Sequence, residues 1–211
     1  MTKSNKIGFV AANPFGLVNW TVNAYLLGAQ KMNPDVTMNV IFTGAWNDPV
    51  KERAAAEALV EQGIDVIGQH VDSPTPQIVA QENGVMGTGH HRDMSEFASD
   101  ATVCSSIWVW DKYLTPKISE IASGNWSPSA WGDFLSIKQG GTDIELSNKV
   151  PADIVKQVMA EREAIINGKS VYVGPLKDQN GVLKVKAGSS PSDGDLWGMD
   201  YLLEGITGSL N

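Results

Sequence analysis

The chain has 211 residues, of which 42% are hydrophobic, and its 24 acidic and 16 basic residues give a formal net charge of −8. A chain of this size and apolar content can bury a substantial core, so composition predicts a folded globular protein. The negative charge disfavours nucleic acid and anionic membrane surfaces as partners, because both are negatively charged themselves. The single cysteine, Cys104, cannot form an internal disulfide and therefore gives no evidence about the redox compartment.

Strand-like apolar runs alternate with helical patterns through the first half of the chain. The predicted elements are a strand over 7–12, a helix over 19–30, a strand over 37–44, a helix over 51–62, a strand–helix–strand unit over 65–93, a strand over 101–110 and a helix over 111–123. Three strand–helix units in series predict an α/β fold, with a Rossmann-like parallel sheet flanked by helices on both faces.

The alternation loosens in the second half. The predicted elements there are antiparallel or edge strands within 131–146, an amphipathic helix over 151–167 and a hairpin that joins 171–173 to 182–185 through a turn at 178–181. Gly168 is expected to end the helix. The pattern over 198–210 fits a short helix or a short strand equally well.

Polar residues follow two strands of the 65–93 unit at the point where each strand ends, and they include all three histidines of the chain. In an open α/β sheet, the loops that leave the carboxyl ends of the strands face the binding crevice. His70 and Asp72 are two residues apart and share a face if the strand persists that far. They fit recognition of a ligand edge, although Asp72 or Ser73 also fits the N-cap of the following helix.

The order of several short motifs resembles the basic membrane protein family, whose members are purine- or nucleoside-binding lipoproteins that serve ABC transporters. The motifs are KIGFV (6–10), GQHVDSP (68–74), VPADI (150–154), INGK (166–169) and GMDYLLEG (198–205). The resemblance implies a type I periplasmic binding fold, in which two α/β lobes close on a small ligand without catalysis, cofactor or metal. It also implies an ABC permease as partner, and a periplasmic or membrane-anchored extracytoplasmic location.

Family members begin with a signal peptide, a lipidated cysteine and a first Rossmann-like lobe, whereas this sequence opens directly on a strand-like run. By this comparison, the sequence enters where the family's chain crosses into its second lobe. The expected architecture is therefore an incomplete two-lobe protein. We expect residues 1–103 to form the second lobe, and residues 104–211 to form crossover strands, helices and a hairpin that return between lobes.

The ligand class implied by the family needs aromatic faces for stacking and a few fixed polar groups. Trp20, which follows the first strand, fits either stacking on ligand or a partly buried helix start. Of Trp108 and Trp110 at the end of the strand over 101–110, at most one is expected to meet the crevice, while the other packs against a helix.

The family places an acidic residue for ribose hydroxyls in a pattern like Gly-aromatic-Asp-x-Asp. The matching stretch here is Gly89-His90-His91-Arg92-Asp93, so His91 replaces the first Asp and only Asp93 remains. A neutral imidazole offers one donor and one acceptor, whereas a carboxylate accepts from two hydroxyls. The resemblance therefore implies a purine base or related planar heterocycle rather than a nucleoside.

Two other classes of function remain as alternatives. The first is an enzyme that uses the histidines with Asp72, Asp93 or Cys104, as a metal site or a Cys–His pair. The sequence has no His-x-x-x-His helix motif, paired cysteines, phosphate loop or Gly-x-Ser-x-Gly elbow, so we expect no catalysis. The second is a homo-oligomer that forms through uncovered lobe surface without binding ligand.

Overall fold

The computed structural model describes residues 2–130 and 132–210. The strands are β1 Lys6–Ala11, β2 Thr37–Phe42, β3 Val66–His70, β4 Met86–His91, β5 Thr102–Trp108, β6 Thr142–Leu146, β7 Leu176–Lys177, β8 Leu183–Val185 and β9 Ile206–Thr207. The helices are α1 Gly16–Met32, α2 Pro49–Glu61, α3 Thr75–Glu82, α4 Trp110–Ala122, α5 Ala152–Ile166 and α6 Asp193–Trp197.

The main sheet has the order β6-β5-β4-β3-β1-β2-β9. Strands β1 to β5 and β9 run parallel, and only β6 is antiparallel to its neighbour β5. The sheet confirms the predicted α/β fold with a predominantly parallel sheet. Its β6 edge also confirms the antiparallel edge strand expected within 131–146, although Trp131 itself lies outside the described residues.

Two hydrophobic clusters lie on opposite faces of the sheet, because successive side chains of a strand alternate between faces. Phe9 of β1 packs in the cluster that holds Val22 and Leu26 of α1. Val10, the next residue, packs in the cluster that holds Leu59 of α2. The helices therefore cover both faces, as predicted, and the strands between them are buried.

Helix α2 begins with two residue types that commonly start helices, two positions before the predicted 51. Asp48 is the N-cap residue, its carboxylate accepts a hydrogen bond from the Lys51 N–H at 3.1 Å, and Pro49 occupies the first turn. The start of α3 differs, because its N-cap is Pro74, which makes no side-chain capping bond. Ser73, one of the two expected N-cap residues, lies one position before Pro74, and its hydroxyl accepts from the Thr75 N–H at 3.2 Å.

The hairpin is confirmed, but its first arm is β7 rather than 171–173. Asp178 organises the turn, since its carboxylate accepts from the Asn180 N–H at 2.9 Å and the Val182 N–H at 3.0 Å. Pairing in the first arm begins after Pro175, which has no N–H to donate. Within 198–210, where the pattern was ambiguous, the structure forms the short strand β9.

Candidate ligand-binding site

Aromatic rings lie along the carboxyl edge of the sheet, where neighbouring strands end. Trp46 follows β2, His70 ends β3, and Trp108 ends β5. The Trp46 and His70 ring centroids are 6.2 Å apart, those of His70 and His90 are 4.0 Å apart, and those of His90 and Trp108 are 5.5 Å apart. These spacings form one continuous row of ring contacts across the edge.

A cavity of about 560 Å³ opens at this edge. Its wall consists of Leu17, Trp46, His70, Asp72, His91 and Trp108. The volume lies within the range of small-molecule sites, and aromatic walls with a few polar groups are typical of such sites. Four of the seven residues predicted as ligand contacts therefore share one cavity.

His70 supplies a neutral polar group in this wall. Its side chain is buried, and burial lowers its pKa to about 4, so the ring is uncharged at neutral pH. Nδ1 of His70 has no hydrogen-bond partner among the described residues. A neutral imidazole can offer one donor and one acceptor to the edge of a heterocycle.

His91 ends β4 in a left-handed backbone conformation, with φ of 59°. This conformation costs about 1–2 kcal/mol for a residue with a side chain, and such strain concentrates at functional sites. Nε2 of His91 lies 3.1 Å from the Asp72 carbonyl oxygen, which can only accept, so Nε2 is the donor. In the neutral ring, Nδ1 is then left as an acceptor.

Hydrogen bonds hold the loops after β2 and β3 together. The Asp72 N–H donates to the Trp46 carbonyl oxygen at 2.8 Å, which couples two wall residues from different loops. The fully buried Glu52 accepts from the Asp48 N–H at 2.9 Å, and its other carboxylate oxygen accepts from the Ser73 hydroxyl. Glu52 therefore joins the start of α2 to the loop that carries Asp72.

Asp93 has a local partner instead of a place on the cavity wall. Its two carboxylate oxygens accept from the Ser95 N–H at 2.9 Å and the Ser95 hydroxyl at 2.7 Å. It thereby caps the 3-10 turn Met94–Glu96. Its predicted role as a ligand contact stays a prediction.

Trp20 and Trp110 also lie outside this wall. The Trp20 ring meets Trp197 of α6 edge-on, with centroids 4.9 Å apart. Trp110 begins α4 and meets the Trp108 ring edge-on at 5.6 Å. Strand β5 ends at Trp108, so the Trp108 ring keeps the orientation that the strand sets, whereas Trp110 belongs to α4. Of these two rings, only that of Trp108 lies on the cavity wall. Stacking of Trp20 or Trp110 on ligand stays a prediction.

Sequence reasoning missed two wall residues, Leu17 and Trp46, and did not weigh His90 as a ring contact. Trp46 had a signal, since it is an aromatic residue in the loop that leaves the carboxyl end of β2. Leu17 had none, because an apolar residue in the first turn of a helix most often belongs to the core.

Two observations concern the metal site and the Cys–His pair that the sequence left as alternatives. Among residues 2–130 and 132–210, no three His, Cys, Asp or Glu side chains are grouped to hold a metal ion. Burial raises the pKa of the Cys104 thiol to about 11, so the reactive thiolate is scarce at neutral pH.

Comparison with known proteins gives consistent results. The family of PnrA-like ABC transporter substrate-binding proteins matches residues 1–173. A purine-binding protein of Brucella abortus is 33% identical over 213 aligned positions, which cover 100% of this chain and 60% of that protein. A putative ABC transporter glucose-binding protein of Haloferax volcanii is 35% identical over 82% of this chain and 44% of its own length. The chain thus spans about half the length of these relatives.

A solved ABC transporter solute-binding protein from Aeropyrum pernix superposes with a TM-score of 0.66 at 18% identity, covering 90% of this chain and 59% of that one. This likeness concerns the fold. None of the helices in the described ranges is long and apolar enough to cross a lipid bilayer. With a family match over most of its length and the fold of solute-binding proteins, the chain belongs to the PnrA-like ABC transporter substrate-binding protein family.

Proposed function

We propose that this protein is the solute-binding component of an ABC importer and captures a purine base or a related planar heterocycle. The observation that carries the proposal is the cavity at the carboxyl edge of the sheet, which has Trp46 and Trp108 in its wall and His70, Asp72 and His91 as polar groups. Flat rings bind well between aromatic faces, and the polar groups can pair with nitrogen atoms at the ring edge.

The names of the two relatives give different ligands: a purine for the Brucella abortus protein and glucose for the Haloferax volcanii protein. Two features of the wall favour a heterocycle. First, the indole rings of Trp46 and Trp108 offer large flat faces. Second, the wall has two imidazoles, those of His70 and His91, and one carboxylate, that of Asp72. A sugar presents many hydroxyls and is best held by carboxylates and amides, which accept from or donate to several of them at once.

In this proposal, capture involves no bond making, and the loaded protein delivers its ligand to a membrane permease. The site would work outside the cytoplasm, as is typical of ABC substrate-binding proteins. Residues 1–103 would form one lobe and residues 104–211 would return between lobes.

Isothermal titration with adenine, guanine, hypoxanthine, their nucleosides and glucose tests the ligand class. We expect at least one base to bind, and to bind more tightly than its nucleoside, because His91 cannot accept from two ribose hydroxyls as a carboxylate can. Binding of glucose with no response to any base would contradict the proposed ligand.

Trp46→Ala tests whether the aromatic wall carries the binding. Loss of one stacking ring should raise the Kd for the base by about tenfold or more, which corresponds to about 1.4 kcal/mol. Trp126→Ala is a matched control, since Trp126 is an exposed tryptophan that is absent from the cavity wall. Equal effects of the two substitutions would show that Trp46 does not contact ligand.

Self-association is a second candidate, favoured by the surface of α4. Leu114, Ile118 and Ile121 lie on one face of this helix by their spacing, and all three are exposed. A second copy of the chain could cover this face, and β6 leaves one edge of the main sheet open to pairing as well. Light scattering on the ligand-free protein should then show dimers, whereas a monomer at all concentrations would exclude this candidate.

A further inference from the structure

His90 lies beneath the cavity rather than on its wall, and its ring contacts three of the wall residues. Its centroid is 4.0 Å from that of His70, with the rings tilted by only 33°. The Trp108 ring meets it edge-on, with centroids 5.5 Å apart and an interplanar angle of 83°. The His91 ring also meets it edge-on, with centroids 5.7 Å apart and an angle of 86°. Half of the cavity wall is therefore in aromatic contact with this one imidazole.

The backbone explains how two consecutive histidines reach different places. His90 is a buried residue inside β4, whereas His91 ends the strand with φ of 59°. The left-handed turn directs the His91 ring to the cavity wall, where it bonds the Asp72 carbonyl oxygen. His90 keeps the strand geometry and stays below, between His70 and Trp108.

His90 is buried although it is polar and incompletely paired. The residue is 7% exposed, and Nε2 has no hydrogen-bond partner in the described parts of the chain. Burial, with added repulsion from His70 and His91, lowers its pKa to about 2, so the ring is neutral. An unpaired buried nitrogen is unfavourable for folding, so this nitrogen does not explain the stability of the fold.

We propose that His90 is a positioning residue of the crevice, whose ring holds His70, His91 and Trp108 in the arrangement that receives the ligand. The inference rests on the proposed function for the identity of the ligand. The contacts themselves exist without ligand, so they can be tested separately.

The first experiment needs no ligand. The chain has three histidines, so the imidazole proton signals in an NMR spectrum are few and can be assigned by substitution. Stacking on His90 should shift the His70 ring protons upfield through the ring current. His90→Ala should move these signals to ordinary positions, whereas His90→Phe, which restores a ring, should keep them shifted.

The second experiment measures the Kd for the base that the wild type binds most tightly. His90→Ala should raise this Kd at least tenfold, and His90→Phe should remain within about threefold of wild type. Leu59→Ala is the control for lost stability. Leu59 is a residue of α2 that is fully buried in a hydrophobic cluster and is absent from the cavity wall. The substitution should lower the unfolding midpoint and leave the Kd unchanged.

The outcomes separate the two ideas. If the wild type binds no base, the proposed ligand class is wrong, and the ring-proton signals alone decide whether His90 positions the wall. If His90→Ala leaves both the His70 signals and the Kd unchanged, the positioning role is wrong. If His90→Phe loses binding as fully as His90→Ala, ring contact is not what His90 provides.

Discussion

Helices α1 to α3 and helices α4 and α5 have similar amphipathic sequences but differ in what they bury. Helix α1 buries five residues, α2 four and α3 five, and all three pack against the sheet. In α4 and α5, no residue is buried. An amphipathic pattern therefore predicts a helix, but it does not show whether the apolar face of that helix packs against another element.

The difference follows from the connections of the chain. Short loops return α1, α2 and α3 to the strands that flank them in sequence, so each helix covers its own strand–helix unit. Helix α5 is joined to β6 by a partly buried bidentate ion pair, in which Arg162 donates two 2.7 Å hydrogen bonds to Asp143. This pair fixes the position of α5 on β6, but it does not supply the apolar burial that holds α1 to α3.

The largest change in the free energy of unfolding is expected when leucine is replaced by alanine in α1 rather than in α4. Leu26→Ala in α1 removes a fully buried side chain and should lower the free energy of unfolding by about 2–5 kcal/mol. Leu114→Ala in α4 removes a half-exposed side chain and should change it by less than about 0.5 kcal/mol. Urea unfolding measures both, and equal losses would mean that α4 is packed in solution.

Acid should weaken the packed region next, through its buried histidines. The folded-state pKa values of His70 and His90 are lowered to about 4 and about 2 from a value of 6.5, mainly by burial. Below pH 6.5 the unfolded chain therefore binds protons that the folded chain does not. Stability should fall by about 2 kcal/mol for each ring between pH 7.5 and pH 5.

His90→Phe removes one of the two titrating rings and isolates its share of this loss. Urea unfolding of the variant at pH 7.5 and at pH 5 should show a loss about 2 kcal/mol smaller than that of the wild type. A variant as acid-sensitive as the wild type would show that His90 is not buried as a neutral ring.

The smallest effect on stability is expected at the surface of α4. Ile118→Glu replaces an exposed apolar residue and should change the free energy of unfolding by less than about 0.5 kcal/mol. If α4 mediates self-association, the same change should convert dimers to monomers in light scattering, because it places a charge in the interface. Dimers that persist would place the contact elsewhere.

Much of the fold was predictable because its determinants are local. The β1 run alternates between two faces that are both buried, and the Asp48–Pro49 pair marks the start of α2. The polar residues at the ends of β3 and β4 pointed to the crevice, because parallel strands align their carboxyl ends. The sequence therefore predicts His70, Asp72 and His91 at this edge, where they line one cavity wall with Trp108, and their contact with ligand stays a prediction.

The alternation of strands and helices, the family, and the edge of the sheet where polar residues converge can all be read from the amino-acid sequence. Which rings touch is seen only in the folded chain. His90 stacks beneath His70 and Trp46 joins the wall, while Trp20 packs on Trp197. Strand and helix patterns depend on residues that are close in sequence, so they can be predicted from the sequence. The cavity wall depends instead on the paths of the loops and on the left-handed backbone turn at His91. These are fixed by hydrogen bonds between distant segments, such as the bond from His91 to the Asp72 carbonyl oxygen.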